Sequence, residues 1–295
     1  MNSIVSESAK SKNLPLVTVA MPIYNAGEYL RLSVNSIISQ NMTNWELLII
    51  DDGSTDNALR SIEDIVDSRI KIYSDGANLG LAVRLNQAID LANGIYFARM
   101  DHDDVSYPSR FSRQISVLED NIELDLVATR SITIDESNRI TGFFPSEISH
   151  ESICSRPWRG FFLPHPTWMG RIEWFRKNRY SEPSSYLCED QELLLRTYLH
   201  SRFCTLDEIL FAYRLKSKFN SKKIFKTRRT FYLLQFSFFL RRKMFYFLLL
   251  ATIGFIIKSL HDHWSNVISN KRYFKNCLSL NFDNGIWQQV LKNLI

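Results

Sequence analysis

Carboxylates gather at three places where an apolar run starts or stops. Asp51-Asp52 follows WELLII, Asp101-His102-Asp103-Asp104 follows IYFARM, and Glu189-Asp190 precedes Leu193, Leu194 and Tyr198. Asp101-x-Asp103 places two carboxylates at one strand end, close enough to share a divalent ion. Mg2+ and Mn2+ take oxygen ligands and commonly bridge carboxylates to substrate phosphates. Such an ion reconciles an acidic strand end with the negative charge of a nucleotide diphosphate. A D-x-D pair alone also occurs in solvated loops; its place after an apolar strand, beside a second acidic strand end, favours the metal. Asp52 reads either as an acceptor for a nucleobase or ribose or as the cap of the turn at Ser54 to Asp56. Glu189 and Asp190 sit where helix carboxylates complement the dipole. His165, between two prolines, has the setting of a loop histidine. His261-Asp262-His263 resembles a metal pair but follows long apolar runs, where a pH-sensitive surface turn is expected.

The elements that position these residues follow from hydrophobic periodicity. Leu16–Met21 is a short β-branched strand closed by Pro22, and Leu30, Val34, Ile37 and Ile38 then fall at helical spacing. Trp45–Ile50 is a second strand, followed by an amphipathic helix marked by Ala58, Ile62 and Ile65. Ile70–Ser74 is a third; Leu81, Leu85, Ala88, Ile89 and Ala92 form the next helical stripe, stopped by Gly94. Ile95–Met100 is a fourth strand, and Phe111, Ile115 and Leu118 open a helix after Pro108. This alternation predicts an α/β fold, a mostly parallel sheet with helices on both faces. Ligands in such sheets bind beyond the carboxyl ends of the strands. Tyr24, Asn25, Asp51, Asp52 and Asp101 to Asp104 should therefore converge there.

With 295 residues, 45% hydrophobic and 13% aromatic, the chain can bury enough surface to exclude disorder. It has only 10 glycines and neither G-x-G-x-x-G nor a P-loop, which argues against a glycine-rich phosphate cradle. Cys154, Cys188, Cys204 and Cys277 are too scattered for zinc or a disulfide framework. The opening MNSIVSESAKSKN has no apolar run, so no secretory signal is read and a cytosolic chain is expected.

Charge is uneven. Between Glu208 and Asp262 lie twelve Lys and Arg and no acidic residue, so the other 24 basic residues face all 31 acidic ones. Two apolar runs, Phe231–Leu240 and Met244–Ile257, are set in this block, parted by Arg241-Arg242-Lys243. Each is short of the about 20 residues that span a membrane. Nucleic acid fits poorly, because the aromatics come in continuous runs. An anionic membrane surface explains charge and apolarity together; a buried helical hairpin is the alternative.

Four motifs in order then carry a resemblance. Val19-Ala20-Met21-Pro22-Ile23-Tyr24-Asn25, Ile50-Asp51-Asp52-Gly53-Ser54-Thr55-Asp56, Asn78-Leu79-Gly80, and Ala98-Arg99-Met100-Asp101-His102-Asp103-Asp104 with Tyr107-Pro108-Ser109-Arg110 resemble the donor half of glycosyltransferase family 2. Its members have the GT-A fold. By this resemblance Tyr24 and Asp52 contact the nucleoside, Asp101 the ribose or metal, and Asp103 the metal. Pro22, Asn25 and Arg84 join the nucleotide-sugar-binding residues. Pro164-His165-Pro166-Thr167 resembles the acceptor-side segment, which places His165 and Glu189 on that side. Cys188-Glu189-Asp190-Gln191-Glu192-Leu193 resembles the motif whose aspartate, here Asp190, is the catalytic base. Like-charge repulsion from Glu189 would raise its pKa if both face one cavity. Tyr213-Arg214 matches the Tyr-Arg that closes the domain, with Lys216 where many members have histidine.

The resemblance implies an inverting, Mn2+- or Mg2+-dependent transfer of one sugar from a nucleotide diphosphate sugar, a UDP-sugar, to a lipid-linked or membrane-proximal glycan in surface polysaccharide synthesis. The expected place is the cytoplasmic face of the cell membrane. The expected organisation is a polar tail at 1–14, a GT-A domain at 15–215 with halves 15–120 and 121–215, and a helical membrane-associating region at 216–295. Two other functions stay open: a sugar-1-phosphate nucleotidyltransferase, which should show a glycine-rich loop at the first strand end, and a non-catalytic membrane-associated nucleotide-binding protein.

Overall fold

The computed structural model describes residues 14–183, 187–215, 221–268 and 284–294. In chain order these form β1 (Val17–Ile23), α1 (Leu30–Ile38), β2 (Trp45–Asp51), β3 (Ile70–Ser74), α2 (Leu81–Leu91), β4 (Tyr96–Arg99), β5 (Val105–Ser106), α3 (Arg110–Asp120), β6 (Leu126–Ile134), β7 (Ile140–Phe143), α4 (His150–Cys154), β8 (Met169–Arg171), α5 (Ile172–Lys177), α6 (Glu189–Thr197), β9 (Phe203–Arg214), α7 (Ser221–Arg241), α8 (Phe245–Ile268) and α9 (Asn284–Leu294).

The strands make one sheet ordered β3-β2-β1-β4-β8-β6-β9-β5, with β7 paired on β6. β1 to β4 run parallel, β6 and β9 run parallel to each other, and β8 runs antiparallel between β4 and β6. The mostly parallel α/β sheet read from the sequence is therefore present. Alternation along each strand divides the core. Val19, Met21, Leu47 and Ile49 pack with α1 and α3 residues such as Val34 and Phe111, while Ala20, Leu48 and Ile50 pack with α2 and α6 residues such as Leu85 and Leu193.

Several local expectations change. Pro22 lies inside β1 rather than closing it. The Ala20 carbonyl accepts from Met100 N beyond the end of β4, so the N–H that Pro22 lacks would point past β4, where no strand needs it. The segment after β2 is a 3-10 turn, Ala58–Ile62, not an amphipathic helix. In a helix the Ser61 carbonyl would accept from Ile65 N. Here Arg31 takes that carbonyl and also pairs with Asp64, and Ile65 N bonds Ile62 instead. Nor does Gly94 stop α2, since Ala92 is already extended. Gly94 is needed because a Cβ there would lie 2.5 Å from the Thr18 nitrogen.

The basic apolar block folds as two helices, α7 and α8, longer than the apolar runs and packed on each other, with Tyr232 stacked on Phe255 at 4.5 Å. One face docks on the domain through buried Gln235, Phe239 and Ala251. His261-Asp262-His263 belongs to α8, so its backbone is helical and not a turn; the side chains of Asp262 and His263, like Lys216 and Cys277, lie outside the described residues. α9 packs back on the sheet body. Its Trp287 is buried beside Tyr107 and donates to the Ile209 carbonyl at 3.3 Å, and Asn35 donates to the Leu294 carbonyl at 3.1 Å.

Candidate active site

The carboxyl ends of β1, β2 and β4 meet at one edge. Asn25, in the left-handed region at φ 48°, ties the first two together: its Oδ1 accepts from Thr55 N at 2.8 Å and Asp56 N at 3.2 Å, and its own N donates to Ser54 Oγ at 3.0 Å. The Tyr24 ring beside it is half-exposed, while Pro22 is buried below. The turn after β2 is capped by Asp51, whose Oδ1 accepts from Ser54 N at 3.0 Å. Asp52, 6% exposed, accepts from Leu79 N at 2.7 Å, Gly80 N at 3.0 Å and Arg84 Nε at 2.9 Å. Arg84 is 1% exposed and directs its other donors to Asp75, Gln87 and the Ala77 carbonyl. Within the protein, the pair holds the 75–80 loop against the end of β2.

The loop after β4 is gripped from two sides. Ser33 Oγ on α1 contacts the carbonyls of His102 and Asp104 at 2.8 and 2.6 Å. From β9, Arg214 donates through Nε to the Asp103 carbonyl at 2.7 Å and through its backbone N to Asp104 Oδ1 at 2.8 Å. Side-chain oxygens of Asp101, Asp103 and Asp104 lie within 4.8 Å of one another. Asp104 is buried and its Oδ2 has no hydrogen-bond partner among the described residues. Burial, then the charges of Asp101 and Asp103, push its carboxyl well above the ordinary range. Three clustered carboxylates with an unpartnered buried oxygen are the donor set of a hard divalent cation. Asp101, Asp103 and Asp104 thus fit Mn2+ or Mg2+.

Arg99, at the end of β4, ties this loop to the other half of the site. It is 3% exposed and holds Asp101 through Nη2 at 2.5 Å. Its Nε and Nη1 have no partner among the described residues. Its positive charge acts on Tyr180, His165, Glu189 and Asp190 as well. His165 is buried, bonded through Nε2 to Tyr180 Oη at 2.8 Å, and held well below its ordinary pKa by burial and then by Arg99. Its imidazole is therefore held neutral.

α6 opens with Glu189 and Asp190. Burial is the first cause of the raised Asp190 pKa, and Gln191, which donates to Asp190 Oδ2 at 3.2 Å, opposes it. Gln191 is itself pinned, accepting from Phe161 N at 2.9 Å and donating to the Phe161 carbonyl at 3.1 Å. Glu189, beside Asp190, is pushed up to about 7 by burial and then by the charge of Asp190. Arg99, Tyr180 and Gln191 were given no role from the sequence, and Asp104 was placed at the strand end without being named a ligand. Arg99 did carry a signal: a charge inside the apolar run YFARM needs a partner.

A model of glycosyl transferase family 2 matches residues 18–179, more than half of the chain. The chain belongs to glycosyl transferase family 2. It is 35% identical to EpsE of Bacillus subtilis over 207 residues, 68% of this chain and 73% of EpsE. A second relative is the Escherichia coli UDP-Glc:alpha-D-GlcNAc-diphosphoundecaprenol beta-1,3-glucosyltransferase WfgD, 34% identical over 141 residues, 47% of this chain and 54% of WfgD. With an uncharacterized glycosyltransferase of Haemophilus influenzae the match is 38% identical but spans 47% of that protein. Among solved structures, S. aureus TarS 1-349 in complex with UDP-GlcNAc superposes with a TM-score of 0.59 at 18% identity, covering 75% of this chain and 66% of TarS. That likeness concerns the fold, the GT-A fold expected from the motifs.

Proposed function

We propose that the chain is an inverting glycosyltransferase that moves one sugar from a nucleotide diphosphate sugar, a UDP-sugar, to a hydroxyl of a lipid-linked glycan in surface polysaccharide synthesis. The observation that supports this most is the meeting, around Arg99, of a three-carboxylate cluster at the end of β4 and a raised carboxylate at the start of α6. Tyr24 offers its half-exposed ring to the nucleobase, and Asp52, with Arg84, shapes the nucleoside pocket wall. Asp190 takes the proton of the acceptor hydroxyl, and burial, which raises its pKa above the ordinary carboxylate value, makes it a stronger base for that step. The acceptor oxygen forms its bond to the anomeric carbon from the face opposite the nucleotide. The bond from that carbon to the diphosphate oxygen breaks, and the electron pair leaves with the nucleoside diphosphate. A divalent ion held by Asp101 and Asp103, with Asp104 behind them, would neutralise charge on that diphosphate. Glu189, largely neutral below pH 7, and His165 line the acceptor side.

The WfgD acceptor, a sugar on diphosphoundecaprenol, supports a lipid-linked acceptor here. Donor from the cytosol and acceptor in the bilayer meet at the cytoplasmic face of the cell membrane. Calorimetric titration with UDP tests the reading: affinity should need Mn2+, and Asp103→Asn should remove both the dependence and the turnover. Equal UDP affinity in EDTA and in Mn2+ would overturn it.

A further inference from the structure

The α7–α8 hairpin has one face in the protein core and one outside. Inward, Gln235 donates to the Pro157 carbonyl at 2.7 Å, Trp158 stacks on Phe247 at 5.2 Å, and Cys188 Sγ reaches the Thr227 carbonyl at 3.4 Å. Outward, α7 presents Phe225, Leu233, Phe236 and Leu240, at i, i+8, i+11 and i+15, a single helical stripe. The outward stripe of α8 is Tyr246, Leu249, Ile253, Ile256 and Leu260. These nine side chains are between 40% and 68% exposed. A soluble surface seldom carries so continuous an apolar patch without a partner.

Charge selects the partner. Exposed Lys222, Lys223, Lys226 and Arg229 lie at the open end of the hairpin with Lys258 across from them, and Arg241, Arg242 and Lys243 lie at its turn. No acidic residue occurs from 209 to 261. Apolar stripes bracketed at both ends by cations match a surface that is hydrocarbon below and anionic above. A second copy of this chain would bring the same cations face to face. No described helix is long and apolar enough to cross a membrane. The α7 stretch between Arg229 and Arg241 covers only about 17 Å of a hydrocarbon core of about 30 Å.

We propose that the outer face of the α7–α8 hairpin is a docking surface for an anionic lipid bilayer. The hairpin lies flat in the interface, its stripes enter the acyl boundary, and its Lys and Arg reach the headgroups. Because α7 also packs on α6, the lipid contact lies one helix layer, roughly 10 Å, from the helix that carries Asp190. The surface stands independently of the acceptor's identity, since docking is read without turnover.

Flotation of the full chain on vesicles tests it. Vesicles of phosphatidylcholine with phosphatidylglycerol should carry the protein upward at low salt, and pure phosphatidylcholine should carry far less. Lys222→Gln, Arg229→Gln and Arg241→Gln together should lower partitioning ~100-fold, at about a factor of five per charge. Leu249→Ser with Ile253→Ser should release the protein even at low salt. UDP affinity and the unfolding midpoint of both variants should match the parent, because only exposed side chains change. Absence of flotation on the anionic vesicles, or equal flotation of parent and variants, overturns the proposal. So does a dimer in sedimentation that Leu249→Ser with Ile253→Ser dissociates, which would assign the face to a second copy.

Discussion

Replacing Arg84 with methionine separates two roles that its motif leaves entangled. As a donor ligand, Arg84 would matter to UDP and little to folding. In the structure its guanidinium instead bonds Asp52, Asp75, Gln87 and the Ala77 carbonyl, with the Arg84 side chain 1% exposed and that of Asp52 9% exposed. Methionine fills much of the apolar stem and leaves Asp52 as a buried charge without its cation. Breaking such a pair costs about 3–5 kcal/mol. The half-exposed Asp75 adds little, being screened by solvent. Against a total stability of about 5–15 kcal/mol, a loss near 3 kcal/mol is large. With a urea slope of about 2 kcal/mol/M, the midpoint should fall by roughly 1.5 M. Tryptophan fluorescence reports it, since Trp45 and Trp168 are buried in the two main core layers. Arg84→Met combined with Asp52→Asn should recover part of the loss, because the stranded charge is gone. An unchanged midpoint together with collapsed UDP affinity would refute the argument and make Arg84 a direct donor ligand.

Three further outcomes follow from the site. Asp190→Asn should lower turnover by roughly 10²–10⁴-fold while leaving UDP affinity within error, because a base acts on the acceptor; steady-state kinetics beside calorimetry checks this. Glu189, with its carboxyl raised from 4.5 to about 7, stabilises the fold fully below pH 4.5 and loses that contribution as pH rises through 7. The urea midpoint of the parent relative to Glu189→Gln should therefore drop across that window, and a constant difference would remove Glu189 from the account. Arg214→Met frees the Asp103 carbonyl from its side-chain clamp and should weaken Mn2+ affinity about 10-fold, as lost outer-shell support does elsewhere, read by Mn2+ titration of the UDP-bound protein.

β5 to β9 were not read from the sequence, whereas the first four strands with α1, α2 and α3 were legible because strand and helix periods differ and each of those runs is long enough to show one. Ala58–Ile65 was misleading for the same reason, since a helical spacing says nothing of the Arg31 side chain that takes the Ser61 carbonyl. Pro22 and Gly94 were visible as residue types, yet their reasons are tertiary: the end of β4 and the close pass of Thr18. In the site, the acidic strand ends were legible as a donor set. That Asp51 caps the turn and Asp52 binds Arg84 depends on which way each side chain leaves its strand. The raised carboxyl of Glu189 depends on burial by residues distant in sequence. The hairpin's two apolar runs were evident, but which stripe of each faces the domain required the packing partners at 157–161.

The grip of Arg214 on the Asp103–Asp104 loop has a consequence for synthesis on the ribosome. The backbone bond from Arg214 to Asp104 joins residues 110 apart, and β5 pairs with β9, the strand that ends in that arginine. β8, the neighbour of β4 on its second edge, is likewise translated some seventy residues after it. At roughly 5–20 residues per second, a nascent chain carries the acidic loop for about 5–20 s before its clamp is translated. During that interval β1 to β4 and their helices can pair, but the carboxylates are not yet held as a cluster. The grip on the acidic loop thus waits for β9 to emerge, and a chain ended before residue 214 carries that loop without its clamp.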